Sequence, residues 1–276
     1  MRLWRSLLFV PANQKRMLDK LGSLPADGFI FDLEDTVPPP EKANARAMTK
    51  DAIATVAGNK SWVRVNSVPS GFLHEDLETF VGMPGLAGFV VPKQDSYGDV
   101  AAVDRMIASI ETRKGLEIGG TPIIVMIETP RGVLHAPDIC AVDGVVGVFV
   151  GANDLANELR LPPNAPRAAL TMALQSILLS ARAAGIWVFD SVYNDLNNPE
   201  GLVAECTEGR IMGFDGKTLI HPNQILAANA AFSPSESEIE DARALVAAAS
   251  GGAERFRDRM IETMHVDAAR RILARL

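Results

Sequence analysis

Cysteine is scarce in this chain, and the two cysteines lie far apart. Cys140 and Cys206 form no Cys-x-x-Cys pair, so the sequence predicts neither a disulfide framework nor a structural zinc site. We expect both to be buried as small apolar residues. Long apolar runs are also missing, because residues 145–151 fall far below the roughly 20 residues of a membrane span and residues 7–10 are too short for a signal-peptide core. We therefore expect a cytoplasmic protein with no membrane partner.

The chain also has no dense run of basic residues. It carries 27 Lys and Arg against 34 Asp and Glu, a formal net charge of −7, which argues against nucleic acid as the main partner. An anionic ligand must therefore meet a local basic patch. The sequence lacks G-x-S-x-G, P-loop, G-x-G-x-x-G and H-E-x-x-H motifs. Their absence argues against a hydrolase, a nucleoside triphosphatase, a Rossmann dehydrogenase and a zincin, respectively.

What the chain does contain is a repeated alternation of two patterns over 276 residues. Short runs rich in Val, Ile and Phe alternate with longer stretches of helical spacing. The predicted strands are 7–11, 28–35, 62–66, 88–93, 123–129, 145–153, 186–192 and 213–221. The predicted helices are 13–24, 41–57, 73–81, 97–113, 130–141, 166–184, 199–208 and 222–231.

Eight strand-helix units predict a (β/α)8 barrel, the TIM-barrel fold. A doubly wound open sheet is the alternative, although it would need fewer strands or a second domain. We assign residues 1–232 to the barrel and 233–276 to a C-terminal helical extension. The extension is predicted to contain a helix near 235–249, a break at Gly251-Gly252 and an amphipathic helix from about 261 to 276.

Polar side chains gather at the ends of the predicted strands, which converge on one face of a barrel, where active sites are built. A helix cap or turn would explain any one of these residues alone, but not their repetition around the barrel. They are Asp32, Glu34, Asp35, Arg64, Asn66, Lys93, Glu128, Asn153, Asp154, Asp190, Lys217 and His221.

Glu128 and Asp154 stand at the ends of adjacent predicted strands. Two carboxylates a few ångströms apart, with the other positions open to water and substrate, are the usual ligands of Mg²⁺, and Mn²⁺ suits the same donors. The alternative for Asp154 is the N-cap of a helix that begins at Leu155.

Arg64 is predicted to lie beside this acidic pair. Its planar guanidinium suits a substrate carboxylate, and the alternative is a structural salt bridge to Asp32 or Glu34. A Schiff base on Lys93 or Lys217 is a less favoured mechanism, because neither residue has an evident means to lower its pKa. We do not assign a catalytic role to His221.

Several segments in order along nearly the whole chain resemble the citrate lyase beta-subunit family of coenzyme A ester lyases, within the HpcH/HpaI aldolase superfamily. The segments are RSLLFVPAN (5–13), DLEDTVPPPEK (32–42), VRVN (63–66), VPK (91–93), IETPRG (127–132), GANDLA (151–156) and GFDGKTLIHPNQ (213–224). Shorter aldolases of the superfamily carry a His after the strand-two acid. The Asp32-Leu33-Glu34-Asp35 sequence found here favours a coenzyme A ester as substrate.

The resemblance implies a Mg²⁺-dependent lyase that splits a 3-hydroxyacyl-CoA into an acyl-CoA and a 2-oxoacid, or runs the reverse condensation. It implies that Glu128 and Asp154 hold the metal, that Arg64 binds the oxoacid carboxylate and that Asp32 also serves catalysis. Phe9, Arg16 and Lys20 match the segment that contacts coenzyme A. For the two basic residues, an ordinary solvated helix face is the alternative.

The resemblance extends to the C-terminal extension and to assembly. Glu262 aligns with an acid/base residue, usually Asp, that is delivered onto a neighbouring barrel of a homotrimer or hexamer. The alternative is a favourable charge at the start of the last helix. A second interpretation of the whole chain is the beta subunit of a citrate lyase complex acting on a carrier-linked thioester. A non-catalytic interpretation would require the loss of Glu128, Asp154 or Arg64, and all three are present.

Overall fold

The computed structural model describes residues 4–249, 252, 254–256 and 259–274. Eight parallel strands in this part of the chain close into a barrel in chain order, with β1 paired to both β2 and β8. The strands are β1 (Ser6–Pro11), β2 (Gly28–Asp32), β3 (Ser61–Arg64), β4 (Leu86–Val91), β5 (Ile123–Ile127), β6 (Val145–Val150), β7 (Trp187–Asp190) and β8 (Gly216–Leu219). The predicted barrel is confirmed, and the open sheet is wrong because the strands close on themselves.

Helices follow the strands and cover the barrel. They are α1 (Lys15–Leu18), α2 (Lys42–Thr55), α3 (Leu73–Phe80), α4 (Tyr97–Lys114), α5 (Pro130–Leu134), α6 (Ala136–Cys140), α7 (Ala152–Glu158), α8 (Thr171–Ala184), α9 (Pro199–Met212) and α10 (Ile225–Phe232). The predicted helix 130–141 is divided into α5 and α6, since Pro137 lacks the N–H that a continuous helix needs. The predicted helix 13–24 shortens to α1 and a 3₁₀ turn at Leu21–Ser23.

Strand residues alternate between two apolar layers. On β1, Leu7 belongs to the cluster inside the barrel, while Leu8 and Val10 belong to the cluster between barrel and helices. Apolar residues on both faces are the expected pattern for a parallel sheet that is filled inside and covered outside. The same alternation turns Phe9 toward the inside of the barrel, where it packs against that inner cluster. Cys140 and Cys206 are buried and free, as predicted.

Strands β2 to β8 end earlier than predicted, and the polar residues after them lie in loops or, for Asn153 and Asp154, in the first turn of α7. The prediction carried β2 to Asp35, but the strand ends at Asp32. Oδ1 of Asp32 accepts a hydrogen bond from the N–H of Glu34 at 2.9 Å. This local bond replaces the next bond of the strand ladder and turns the chain. The residues that follow the strands therefore project over the C-terminal face of the barrel.

The C-terminal extension packs around an apolar cluster of its own. It contains α11 (Glu236–Ala248), a two-stranded antiparallel sheet of β9 (Glu254–Phe256) and β10 (Arg259–Ile261), and α12 (Thr263–Leu273). The sheet was not predicted. Leu245 of α11, Ile261 of β10 and Val266 of α12 meet in the cluster. Gly251 of the predicted break lies outside the described residues. The predicted end of the last helix, at residue 276, lies outside them as well.

Within the described part of the chain, we find no helix with the length and apolar character that crossing a bilayer requires.

Candidate active site at the C-terminal end of the barrel

A cavity of about 240 Å³ opens at the C-terminal ends of the strands, where the sequence predicts the site. Its charged lining consists of Asp32, Asp35, Arg64, Glu128 and Asp154. The apolar lining consists of Phe9, Met126, Phe149, Val150, Val192 and Ile220. The structure thus brings five of the eight predicted site residues to this one cavity: Phe9, Asp32, Arg64, Glu128 and Asp154.

Arg64 and Asp32 form a buried ion pair within the cluster of charged residues that line the cavity. Nε and Nη2 of Arg64 donate to the two carboxylate oxygens of Asp32 at 2.7 and 2.6 Å. Burial alone would raise the pKa of Asp32, but the charge and hydrogen bonds of Arg64 outweigh it and lower that pKa. The structural salt bridge considered for Arg64 is therefore present. It uses two of the five N–H donors of the guanidinium, and Nη1, which carries two of the other three, lies 3.3 Å from Oε2 of Glu34 and 3.5 Å from Oδ2 of Asp35.

The pair with Arg64 engages both carboxylate oxygens of Asp32 and orients the guanidinium. The catalytic role expected for Asp32 stays a prediction. Phe9 completes the support, because its ring centroid lies 5.0 Å from Cζ of Arg64. This contact is a cation–π interaction between two residues that line the cavity. The coenzyme A contact expected for Phe9 stays a prediction.

Glu34 and Lys93 extend the cluster. Nζ of Lys93 lies 2.8 Å from Oε1 of Glu34, and Nη1 of Arg64 lies 3.3 Å from Oε2 of Glu34. Burial raises the pKa of Glu34 despite both cations, whereas the same ion pair raises the pKa of Lys93. A lysine held in its charged form is a poor amine nucleophile, which argues against a Schiff base on Lys93. Lys217 is buried outside the cavity between Asp190 and Glu205, at 2.9 and 2.6 Å.

Glu128 directly follows β5 and is buried next to Asp154. Its Oε1 accepts a hydrogen bond of 2.6 Å from the backbone N–H of Lys93. Burial, the hydrogen bond shared with Asp154 and the charge of Glu34 raise the pKa of Glu128 to about 8. The sequence prediction is corrected for Asp154, which lies in the first turn of α7 and not at a strand end. The alternative is also wrong, since the N-cap of α7 is Gly151.

The donor set of Glu128 and Asp154 fits a magnesium ion. The two adjacent carboxylates provide hard oxygen ligands and negative charge for a divalent cation, and their closeness contributes to the raised pKa of Glu128. Among the described residues, no three Asp, Glu, His or Cys side chains form a complete metal cage. Water and substrate would therefore have to supply the other ligands, which is common for Mg²⁺.

Two backbone features hold Glu128 in place, and the sequence analysis missed both. A Cβ atom on Gly151 would lie 2.4 Å from Cβ and 2.7 Å from Oε2 of Glu128, so glycine makes room for the carboxylate. Lys93 has φ = 57°, a left-handed conformation that is uncommon outside glycine. The Lys93 N–H that bonds Glu128 belongs to this residue. Both residues stand in the quoted segments GANDLA and VPK, but their roles depend on tertiary contacts.

The three remaining predicted residues lie outside the cavity lining. Arg16 on α1 and Lys20 after it have exposed side chains, and they follow the end of β1 at which the cavity opens. Glu262 is exposed at the N-cap of α12, where its N–H donates to Nδ1 of His265 at 3.0 Å. His221 caps the 3₁₀ turn at Pro222–Gln224, in agreement with the structural role expected for it.

Comparisons with known proteins show which family the chain resembles over nearly its whole length. A sequence model described as HpcH/HpaI aldolase/citrate lyase matches residues 5–222. A (3S)-malyl-CoA thioesterase of Cereibacter sphaeroides is 40% identical, over 99% of this chain and 94% of the relative. The citrate lyase subunit beta of Escherichia coli is 36% identical, over 99% and 93%. The crystal structure of CitE from Mycobacterium tuberculosis with magnesium, acetoacetate and coenzyme A has a TM-score of 0.81 at 28% identity, covering 100% of this chain and 99% of that one.

Proposed function

This chain belongs to the HpcH/HpaI aldolase/citrate lyase family, and from that premise we propose a magnesium-dependent carbon–carbon lyase acting on a 3-hydroxyacyl-CoA. The products are an acyl-CoA and a 2-oxoacid, and the reverse condensation uses the same site. The observation that carries the proposal is the convergence of the Glu128–Asp154 pair and Arg64 on one cavity of about 240 Å³.

Arg64 binds the oxoacid end of the substrate in this proposal. Its remaining N–H donors hold a carboxylate, and the bonds to Asp32 fix the guanidinium plane before substrate arrives. Glu128 and Asp154 hold Mg²⁺, with Mn²⁺ as a substitute. When bound, the ion supplies positive charge that polarises the substrate oxygens and stabilises the negative charge developed during cleavage.

Cleavage requires two proton transfers, one away from the substrate and one back to it. A base takes the proton of the 3-hydroxyl, the C2–C3 bond breaks as the oxoacid carbonyl forms, and the bonding electrons remain on C2 of the acyl-CoA as an enolate. A proton then returns to C2. We assign this acid/base role to Glu262 of a neighbouring subunit in a homotrimer or hexamer, since Glu262 is exposed and is not part of the described lining of the cavity in its own chain.

Coenzyme A is held outside the cavity in this proposal. Arg16 and Lys20 are exposed cations after the C-terminal end of β1, and their charge suits the phosphates of the coenzyme A portion of the substrate. This assignment supplies the local basic patch that an overall acidic protein needs for an anionic ligand.

Hydrolysis of the thioester is the second candidate function, because the relatives at 38–40% identity are named (3S)-malyl-CoA thioesterase. The third candidate function is that of the beta subunit of a citrate lyase complex, which would use the same site on a carrier-linked thioester. It is favoured by the relative at 36% identity, a citrate lyase subunit beta. The three functions differ in their products and substrates, so one assay distinguishes them.

The experiment incubates the purified chain with malyl-, citramalyl- and citryl-CoA and measures the 2-oxoacid and the free thiol separately. A lyase releases 2-oxoacid while the thioester stays intact. Release of thiol without 2-oxoacid would identify a thioesterase. Cleavage of only a carrier-linked thioester, with none of the coenzyme A esters accepted, would identify a subunit of a citrate lyase complex.

A further inference from the structure

We propose that the cavity selects 2-oxoacids with one carboxylate and a hydrogen or methyl substituent, such as glyoxylate or pyruvate, over dicarboxylic 2-oxoacids such as oxaloacetate. This inference rests on the proposed function and specifies its substrate class. It is carried by the side chains of the cavity wall: Arg64 is the one cation among the described residues that line it, and the neutral polar side chains take part in other hydrogen bonds.

The charges of the wall favour a substrate with few negative charges. Arg64 is the only cationic side chain among the described residues that line the cavity, against four carboxylates, Asp32, Asp35, Glu128 and Asp154. A bound divalent cation still leaves the fully ionised wall with a formal charge of −1. A substrate carboxylate can meet Arg64 and the ion, whereas a second one adds repulsion without a second basic partner.

The nearest other cation is not free to serve as that partner. Nζ of Lys93 lies 2.8 Å from Glu34 and 3.4 Å from Asp35, and Lys93 does not line the cavity. To bind a substrate, it would have to leave Glu34, a buried carboxylate, with less compensation.

The neutral polar side chains of the wall are engaged as well. The hydroxyl of Thr218 donates to the backbone oxygen of Asp190 at 3.0 Å, and that of Thr36 donates to the backbone oxygen of Asp32 at 3.3 Å. The amide of Asn153 exchanges hydrogen bonds with Asn194, at 2.7 and 3.4 Å. These three complete the polar uncharged side chains in the described lining.

The rest of the wall is apolar, and it suits a hydrogen or methyl group. Phe149, Val150 and Met126 are buried, while Val192 and Ile220 stand nearer the opening. A carboxymethyl group against this surface would lose the hydration of its charge without replacing it.

Binding of free 2-oxoacids to the intact protein tests the inference. Glyoxylate, pyruvate and freshly prepared oxaloacetate are titrated by calorimetry at pH 8, with Mg²⁺ and with EDTA. We expect Mg²⁺-dependent binding of glyoxylate or pyruvate at least about tenfold tighter than that of oxaloacetate. Equal or tighter binding of oxaloacetate would overturn the inference and leave the proposed function standing. Absence of Mg²⁺-dependent binding for all three acids would contradict the proposed function itself.

A charge placed at the opening gives a second, independent measurement. Ile220 is 39% exposed, so Ile220→Lys can add a cation to the wall without burying it. We expect this variant to bind oxaloacetate at least about fivefold better relative to pyruvate. The matched variant Ile220→Met changes the side chain without adding charge and should keep the original ratio. If Ile220→Lys folds and leaves that ratio unchanged, the missing cation is not the source of selectivity and the inference fails.

Discussion

Asp32 and Arg64 are paired residues on neighbouring strands β2 and β3, and the guanidinium donates one hydrogen bond to each oxygen of the carboxylate. Strand register therefore sets the orientation of Arg64, the arginine that we propose binds the substrate carboxylate. The ring of Phe9 packs against the guanidinium of Arg64, with its centroid 5.0 Å from Cζ. The arrangement ties the backbone pairing of the barrel directly to the geometry of the cavity.

Replacement of Arg64 by lysine should show that the planar fork matters as well as the charge. We expect Arg64→Lys to lower kcat/KM about a hundredfold, nearly as much as Arg64→Ala, because an ammonium cannot hold both Asp32 and a substrate carboxylate in one plane. Steady-state kinetics with a thioester substrate measure this. Arg182→Lys is the control, since Arg182 pairs with Asp215 away from the cavity. Near-normal turnover by Arg64→Lys would reduce Arg64 to a structural ion pair.

Addition of one methyl group at Gly151 should weaken the metal site. The new Cβ would approach Cβ of Glu128 to 2.4 Å, so the carboxylate must move. We expect Gly151→Ala to raise the Kd for Mg²⁺ about tenfold or more, measured by calorimetry. Gly22→Ala is the matched control, because the space around Gly22 is open within 4 Å. Equal Mg²⁺ affinity in the two variants would show that Glu128 does not hold the ion.

The pKa of Glu128 predicts how stability changes with pH. The folded value of about 8 exceeds the ordinary value of 4.5, so the folded protein retains a proton that the unfolded chain releases. This contribution to stability is fully present below pH 4.5 and is lost as the pH rises to about 8. Mg²⁺ replaces the proton, so its apparent affinity should rise up to about tenfold per pH unit over this window.

Thermal unfolding between pH 5 and 8.5 measures this linkage. The rise in Tm produced by a fixed Mg²⁺ concentration should grow with pH and level off near 8. Glu128→Gln has no carboxyl proton to lose and should flatten the dependence. A Mg²⁺ effect that is constant across the range in the unmodified protein would be inconsistent with the raised pKa.

Parts of this site follow from sequence, and other parts need the folded chain. The spacing of apolar runs predicts eight strands, and the fold then brings Arg64 and Glu128 to one face of the barrel. The sequence does not reveal that Asp32 bonds the N–H of Glu34, which ends β2 early, or that Asp154 lies in a helix. Both depend on local hydrogen bonds that compete with the strand pattern.

Phe9 and Lys93 show the same limit. Strand alternation turns Phe9 inward, but the sequence pattern does not reveal that its ring packs against Arg64. The left-handed backbone of Lys93 is a tertiary effect, since its N–H is directed to Glu128, which follows the neighbouring strand β5. Sequence patterns report periodicity well, but they do not report a single backbone angle or one contact between strands.

Replacement of Glu262 tests delivery of the acid/base residue by a neighbouring subunit. We expect Glu262→Gln to lose most turnover and to keep Mg²⁺ and coenzyme A binding, because the substitution removes charge without changing length. Mixed oligomers of Glu262→Gln and Arg64→Ala subunits should regain part of the activity, since some interfaces then pair an intact cavity with an intact Glu262. Absence of recovery in oligomers confirmed by mass would contradict delivery between subunits. Unchanged activity of Glu262→Gln alone would remove Glu262 from the site.

The most direct test of the account is the metal dependence of carbon–carbon cleavage in one sample. The purified chain, dialysed against EDTA, is mixed with a substrate identified from the thioester panel, and 2-oxoacid is followed before and after Mg²⁺ is added. The account predicts no 2-oxoacid before addition and turnover at once after it, with no thiol released. Full 2-oxoacid formation in EDTA would contradict it.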